Sequence, residues 1–320
     1  MSTKRIVATA PIDDTATDIL QQIAPVETSP SPDEETLLGF CEGTIVFISR
    51  GAGAVTGRMI AASPDLKVIG RPGAGYDTVD VAAATERGIP VVYAPVSAFA
   101  VAEGALALLM TLVKRIPECD AILKGGRWKE RYHFKTGDMT GHTLGIVGLG
   151  RIGSRLAELV RPFEMTVLAS DPYASAEQAE ALGAELVGLE ELLSRSDYVS
   201  LHVPLNDETR GLINASRIAR MKRGALLINT ARGGIIGGLD VLADALDGGR
   251  LAAVGLDVFP GEPPDASHRI FKDARCVCAP HVLGVSTLAM HRIYTTMANG
   301  VVAVLRGGEP EFCVNPETLG

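Results

Sequence analysis

Six residues, Gly148-Leu149-Gly150-Arg151-Ile152-Gly153, have the types and spacing that hold a diphosphate. They follow the apolar run Thr143-Leu144-Gly145-Ile146-Val147 and open an amphipathic stretch over residues 151–163. In that strand-turn-helix context G-x-G-x-x-G reads as a dinucleotide loop. The first glycine makes the tight turn, and the second lets backbone N–H groups approach a pyrophosphate. The third lets helix and strand pack closely, with the anion at the helix N-terminus. Asp171, eighteen residues past Gly153, ends the next expected strand. A carboxylate there hydrogen-bonds a ribose diol and repels a 2′-phosphate, so it predicts NAD over NADP.

Three more expected strand ends carry polar groups. Asn229-Thr230-Ala231-Arg232-Gly233-Gly234 follows one, the segment from Asp257 to Glu262 follows another, and Ala279-Pro280-His281 follows the third. Ligands of open parallel sheets bind at the carboxyl ends of the strands. Hydride transfer to a ketone needs a proton donor for the developing alkoxide, and histidine has a suitable pKa. A neighbouring carboxylate orients the imidazole, and an arginine fork holds the carboxylate of a 2-keto acid. Arg232, Glu262 and His281 fit these roles. Singly, each has a plainer reading, as a turn arginine, an exposed carboxylate and a structural histidine.

The elements that must position these residues form two α/β series. Residues 4–10, 44–49, 66–70 and 90–93 read as buried strands rich in Val and Ile. Amphipathic stretches over 15–23, 56–62 and 79–87 separate them, which predicts a small parallel sheet with helices on both faces. Residues 29–35 (Ser29-Pro30-Ser31-Pro32-Asp33-Glu34-Glu35) read as a surface loop or helix start. Residues 101–116 read as one long apolar helix stopped by Pro117, and 118–141 as a polar, irregular stretch carrying Trp128. A second series follows, with strands expected at 143–147, 165–170, 185–187, 198–203, 225–229, 252–257 and 275–279. A last helix is expected over 286–305, before a tail that must pack somewhere. Because the glycine loop lies mid-chain, the expected fold is two Rossmann-like parallel-sheet domains. Residues 100–285 form a nucleotide domain, inserted into a discontinuous flavodoxin-like domain of residues 1–99 and 286–320.

A hydrophobic content of 47% with 21% charged residues is that of a globular enzyme, not of a disordered chain. The net charge of −8 disfavours nucleic acid as a partner. The longest mainly apolar run, 105–113, is too short to span a bilayer, and the N-terminus lacks a signal-peptide apolar region, so no membrane partner is expected. Five cysteines without framework spacing suit a reducing cytoplasm. Cys276 and Cys278 alternate along a strand. Two thiols with no second pair nearby make a poor metal site; the pair is read as core, and no metal is expected.

Taken together, these segments resemble the D-isomer-specific 2-hydroxyacid dehydrogenases, near the phosphoglycerate dehydrogenase and hydroxypyruvate/glyoxylate reductase branches. The resemblance runs over nearly the whole chain. It rests on Arg71-Pro72-Gly73-Ala74-Gly75-Tyr76-Asp77, Val101-Ala102-Glu103, the glycine loop, the Asn229 segment, Leu256-Asp257-Val258-Phe259-Pro260-Gly261-Glu262-Pro263 and Pro280-His281. It implies an NAD-dependent interconversion of a small D-2-hydroxyacid and its 2-keto acid. Arg232 would bind substrate, and Glu262 and His281 would form the acid–base pair. Arg151 and Ile152 would meet the pyrophosphate, in a cofactor loop shaped by Gly148, Gly150 and Gly153, and Asp171 the adenosine ribose. Val203, Thr230 and Asp257 would line the nicotinamide side, and Ala231 and Gly284 would also touch the cofactor. The N–H groups of Ala74 and Gly75 would hold the substrate carboxylate from the smaller domain. The resemblance also implies a homodimer joined through residues 118–140.

Some positions depart from the family pattern. Ser97 stands where many relatives place an asparagine that touches substrate, and Arg50 matches an arginine that meets a phosphate end. Gly237-Gly238 replaces an acidic pair and removes a helix cap. Leu283 replaces a small residue beside His281 and is expected to narrow the pocket. The sequence ends at Gly320, so serine feedback through a regulatory extension is not expected. The substrate stays open among glyoxylate, hydroxypyruvate, 3-phosphohydroxypyruvate and larger 2-keto acids. A rival reading is an NAD(H)-sensing binding protein like the corepressors that share this fold. A short-chain dehydrogenase is disfavoured, because its glycine loop would lie near the N-terminus.

Overall fold

Short runs of Val, Ile and Leu bounded by polar turns build every long strand of this chain. The computed structural model describes residues 4–51 and 53–320; residues 1–3, where the N-terminal expectations begin, lie outside them. Two compact units result. One holds the residues up to Ser97 together with Val285–Gly320, and the other is Ala98–Gly284.

In the first unit, β1 (Arg5–Ala8), β2 (Val26–Thr28), β3 (Thr44–Ile48), β4 (Val68–Arg71) and β5 (Val91–Tyr93) alternate with α1 (Asp14–Gln21), α2 (Glu34–Leu38), α3 (Gly57–Ala62) and α4 (Val81–Glu86). The strands pair in parallel in the order β2-β1-β3-β4-β5, the flavodoxin-like order. Asp13, Asp33, Thr56 and Asp80 each accept a backbone N–H of the helix they precede. Each such cap is worth about 1 kcal/mol. Successive strand residues face opposite sides. Ile6, Val46, Ile48 and Val68 join one core, and Val7, Phe47 and Ile69 join the other. This period of two is why β3 is buried along its whole length.

The second unit starts with α5 (Ala98–Val113) and α6 (Ile116–Lys124). The single helix expected over 101–116 is therefore corrected. Arg115 takes a left-handed conformation (φ 51°) between two helices, and Pro117 sits in the first turn of α6. The first turn has N–H groups without partners, so proline opens a helix there rather than ending one. The stretch expected to be irregular is likewise partly helical, through α6 and a short 3₁₀ turn at Trp128–Tyr132.

Strands β6 (Thr143–Val147), β7 (Thr166–Ser170), β8 (Ala184–Leu186), β9 (Tyr198–Leu201), β10 (Ala225–Asn229), β11 (Leu251–Leu256) and β12 (Cys276–Cys278) follow. The helices α7 (Arg151–Val160), α8 (Ala176–Ala181), α9 (Leu189–Arg195), α10 (Ala215–Arg220) and α11 (Leu239–Asp247) lie between them. The sheet order β12-β11-β10-β9-β6-β7-β8 is all parallel and doubly wound, reversing direction between β6 and β9. α11 starts at Gly238 without a side-chain cap, as the two glycines imply.

After Gly284 the chain returns to the first unit as α12 (Thr287–Leu305), capped by Ser286. Tyr294, Met297 and Val301 are buried on the sheet. Gly70 of β4 makes room for this helix, since a Cβ there would lie 2.7 Å from Met297 Sδ. The tail then closes over the edge of β5. Asn315 accepts from Val91 N–H at 2.7 Å and donates to the Ile89 carbonyl at 3.0 Å.

Candidate active site

The glycine loop joins β6 to α7. Gly148 has a φ of 96°, and a Cβ on it would lie 2.9 Å from Val203 N and 2.8 Å from the His202 carbonyl carbon. The loop thus lies against the end of β9, at the point where the strand order reverses. A Cβ on Gly153 would overlap the Gly148 carbonyl oxygen, so this glycine seats α7 on its strand. Gly150, by contrast, caps α7 in an extended conformation, and a Cβ on it would meet nothing within 4 Å. The first N–H groups of α7, at Arg151 and Ile152, have no intrahelical acceptor and border that open space. Asp171 follows β7, where its Oδ2 accepts from Leu149 N–H at 2.8 Å and its Oδ1 from Tyr173 N–H at 2.9 Å. Its carboxylate is therefore fixed beside the loop.

His202 and Thr230 end β9 and β10. His202 Nε2 shares a hydrogen with Ser200 Oγ at 2.8 Å, while Nδ1 is shielded and unpartnered. Burial pushes its pKa down to about 4, so the ring is neutral near pH 7. The Thr230 hydroxyl is buried without a protein partner. An open cradle before α7 and an orphan hydroxyl on the same sheet edge fit a bound dinucleotide.

The acid–base candidates sit on the neighbouring strand ends. Asn229, wholly buried at the end of β10, turns the chain: its Oδ1 accepts from Ala231 N–H at 3.1 Å and its Nδ2 donates to the Arg232 carbonyl at 2.9 Å. Arg232 keeps its side chain half-exposed and donates to the Ala231 carbonyl at 2.8 Å. A Cβ on Gly233 would overlap the Phe259 carbonyl, so the Arg232 segment presses on the segment that leads to Glu262. Asp257, 3% exposed after β11, accepts from Val282 N–H at 2.9 Å and Leu283 N–H at 3.1 Å. Burial raises its pKa, and these two bonds oppose that rise.

Asp257 thereby clips the residues that follow His281. Glu262 is held by Phe259 N–H, which donates to Oε1 at 3.1 Å. Its Oε2 lies 2.7 Å from His281 Nδ1. His281 stands at φ 55° between Pro280 and Val282, with half of its side chain exposed. Nδ1–H donates to the carboxylate, which leaves Nε2 to exchange a proton with a ligand. The pair lines a hollow of about 330 Å³ together with Phe259, Pro263, Cys278 and Pro280.

Leu283 is not among the residues that line this hollow. Its Cβ lies against Gly104 of α5, and a Cβ on that glycine would be 2.6 Å away. The missing side chain at position 104 lets the half-buried Leu283 pack against the core of the second unit. Gly284 similarly abuts Val101. The reading of Cys276 and Cys278 as core is corrected: Cys276 is half-buried and Cys278 exposed, because β12 is the edge strand.

In the first unit, Arg50, Ala74, Gly75 and Ser97 follow the carboxyl ends of β3, β4 and β5. Arg50 N–H donates to Thr9 Oγ1 at 2.9 Å, and its guanidinium lies over the Tyr294 ring at 5.8 Å. Ala74 is exposed, while Ser97 is 9% exposed. Arg71 donates from Nε to the Gly75 carbonyl at 2.8 Å and from a terminal nitrogen to the Ser49 carbonyl at 3.2 Å. Arg71 and Asp257 therefore act as loop clips. Sequence reasoning noted both residues but not this work, which depends on contacts far along the chain.

A doubly wound dinucleotide-binding unit together with a flavodoxin-like unit defines the class of protein. Residues 106–282 match the family described as D-isomer specific 2-hydroxyacid dehydrogenase, NAD binding domain. The chain is 39% identical over 97% of its length to D-3-phosphoglycerate dehydrogenase of Methanocaldococcus jannaschii, and 43% identical over 90% to that of Mycobacterium tuberculosis. It spans 59% and 54% of those proteins, little more than half their length. Among solved structures, a protein from Thermus thermophilus superposes with a TM-score of 0.89 at 34% identity, covering 97% of this chain and 99% of that one. A glyoxylate reductase from Paecilomyes thermophila gives 0.88 at 29% identity, covering 99% of this chain and all of its own. The chain belongs to the D-isomer specific 2-hydroxyacid dehydrogenase family, and its second unit carries that family's NAD-binding domain.

Proposed function

We propose that this chain is an NAD-dependent oxidoreductase that interconverts a D-2-hydroxyacid and its 2-keto acid. The observation that carries this is the 2.7 Å pair between His281 Nδ1 and Glu262 Oε2, on the same sheet edge as the glycine loop. The nicotinamide dinucleotide, when bound, gives or takes the hydride. In the reducing direction, His281 Nε2 delivers a proton to the substrate's C2 oxygen. Glu262 keeps the ring oriented and balances its charge while it is protonated. Arg232 holds the substrate carboxylate in a two-pronged hydrogen bond. Asp257 steadies the backbone after His281. The N-terminal turn of α7 receives the pyrophosphate, Asp171 the adenosine ribose, and Val203 and Thr230 the nicotinamide side, with Ala231 and Gly284 also touching the cofactor. For the first unit we assign carboxylate binding to the N–H groups of Ala74 and Gly75, and substrate contacts to Arg50 and Ser97.

A homodimer in the cytoplasm belongs to the same proposal. It is supported by Ile116, Leu123, Trp128 and Tyr132, large apolar side chains 52–69% exposed around α6. Among the described residues no helix is long and apolar enough to cross a membrane.

The test is a spectrophotometric panel of glyoxylate, hydroxypyruvate, 3-phosphohydroxypyruvate and larger 2-keto acids with NADH and NADPH. His281→Ala should lower kcat by about 10²–10⁴ and leave NADH affinity near that of the parent. An active His281→Ala protein would sink the acid–base assignment. Tight NADH binding with no turnover on the whole panel would favour a nucleotide sensor instead.

A further inference from the structure

Cys276 and Cys278 end the sheet on its outermost strand, hydrogen-bonded to β11 on one side only. Residues two apart on a strand share a face, and here the two sulfurs stand 3.3 Å apart. The other three cysteines direct their thiols at oxygens: Cys41 at the Met59 carbonyl, Cys119 at the Lys114 carbonyl and Cys313 at Asn315 Oδ1. Cys278 is exposed and lines the hollow that holds Glu262 and His281.

We propose that Cys276 and Cys278 form a reversible dithiol–disulfide site that peroxides close, and that its closure disturbs the His281 hollow. Residues two apart on a strand have Cα atoms about 6.6 Å apart, near the top of the range disulfides span. The bond can close only with strain. Strained, exposed disulfides are the labile ones that reducing thiols reopen. The contact with Cys276 favours the thiolate of Cys278, and the same contact together with burial keeps Cys276 protonated. Cys278 is thus the attacking sulfur and Cys276 the resolving one.

The chemistry balances. The Cys278 thiolate attacks a peroxide oxygen, the O–O bond breaks, and a sulfenic acid and an alkoxide or hydroxide form. Cys276 sulfur then attacks that sulfur, and the S–O bond breaks to release water with the Cys276 proton. The peroxide gains two electrons and the two thiols lose them; an external dithiol reverses the step. Only Ala279 and Pro280 separate Cys278 from His281, and Ala279 N–H is tied to the Leu256 carbonyl at 2.9 Å. Drawing the two cysteines together therefore pulls on the segment that sets the His281–Glu262 contact.

The test treats the full chain with hydrogen peroxide, caps remaining thiols with iodoacetamide and maps the tryptic peptide of residues 276–292. The expected product is that peptide lighter by two hydrogens and uncapped, with both thiols recovered after dithiothreitol. Cys276→Ser should abolish this product and leave Cys278 carrying oxygen. The proposal is overturned if Cys278 in the parent gathers two or three oxygens while Cys276 stays free to be capped. Cross-linking between chains, or no change at all, overturns it equally. The second arm rests on the proposed dehydrogenase activity: turnover should fall in step with the disulfide fraction and return with dithiothreitol. Closure without loss of rate removes the link to His281. Absence of turnover before oxidation counts against the dehydrogenase reading, and the peptide map then decides the thiol site by itself.

Discussion

Two alanine substitutions in the glycine loop should fail in different ways. On Gly153 a Cβ would overlap the Gly148 carbonyl oxygen and also press on Ile146 Cγ2 at 3.0 Å and the Gly148 carbonyl carbon at 3.1 Å. The obstacle is mostly backbone, so loop and helix must part by about an ångström in a region packed like a crystal. Overpacking against backbone falls in the upper part of the usual range, about 2–3 kcal/mol, and the better helix propensity of alanine returns about 1 kcal/mol. A net loss of about 1–2 kcal/mol moves the Tm of a unit this size down by about 2–8 °C. NADH affinity falls with it, because the displaced atoms are those that shape the pyrophosphate cradle. On Gly150 a Cβ would meet no protein atom within 4 Å, and its backbone angles suit any residue. Gly150→Ala should therefore keep the parental Tm within a degree or two and still weaken NADH by about tenfold, since the methyl group occupies the anion's approach. Thermal melts and NADH fluorescence titrations of both variants check this. Parental NADH affinity in Gly150→Ala would refute the placement of the pyrophosphate. A parental Tm in Gly153→Ala would refute the packing argument.

Asp171→Asn keeps an oxygen for Leu149 N–H and removes the charge, so the preference for NADH over NADPH should shrink by about tenfold; paired kcat/KM values measure it. Arg50→Ala should lower kcat/KM by about 10–100-fold for 2-keto acids with a second anionic group and leave glyoxylate nearly unaffected; an unchanged value for every accepted substrate ends the assignment. His202 carries the pH prediction. Its folded pKa is about 4, below the ordinary value near 6.5, so between those values the unfolded chain binds more protons. Stability should be full above pH 6.5 and fall as pH drops toward 4, by at most about 1.4 kcal/mol per pH unit. Urea unfolding of the parent and His202→Asn at pH 5 and pH 7 checks this, and an identical slope in the two proteins would refute it.

The long elements were legible because their signals are local. Ala225-Leu226-Leu227-Ile228-Asn229 is buried on both faces and announces a central strand. β2 was missed because Val26-Glu27-Thr28 is two half-exposed residues and an exposed one at a sheet edge, too short for alternation to register. The break between α5 and α6 was missed because proline both ends and begins helices, and the deciding feature is the backbone of Arg115. Cys276 and Cys278 show the limit in another form. Their alternation correctly put them on one face of a strand, yet burial depends on which strand lies outside them, and none does.

The same limit governs the candidate site. His281 and Glu262 are nineteen positions apart, and their motifs mark them as polar residues at strand ends. Nothing in either motif says that Nδ1 meets Oε2. That contact follows from β11 and β12 lying side by side, from Gly233 letting the Arg232 turn press on Phe259, and from Asp257 holding Val282 and Leu283 by their N–H groups. Gly233 is small and Asp257 buried, and neither sequence motif advertises this supporting work. A site built this way is tuned through its supports as much as through its reactive groups. Arg71 does for the Gly75 turn what Asp257 does for the segment after His281, using a cation on a carbonyl where Asp257 uses an anion on two N–H groups. Both clips use a charge half- or fully buried by the fold, and both fix a main-chain segment rather than a side chain. Substitutions that keep the clip's shape but not its charge are therefore the ones that separate positioning from chemistry.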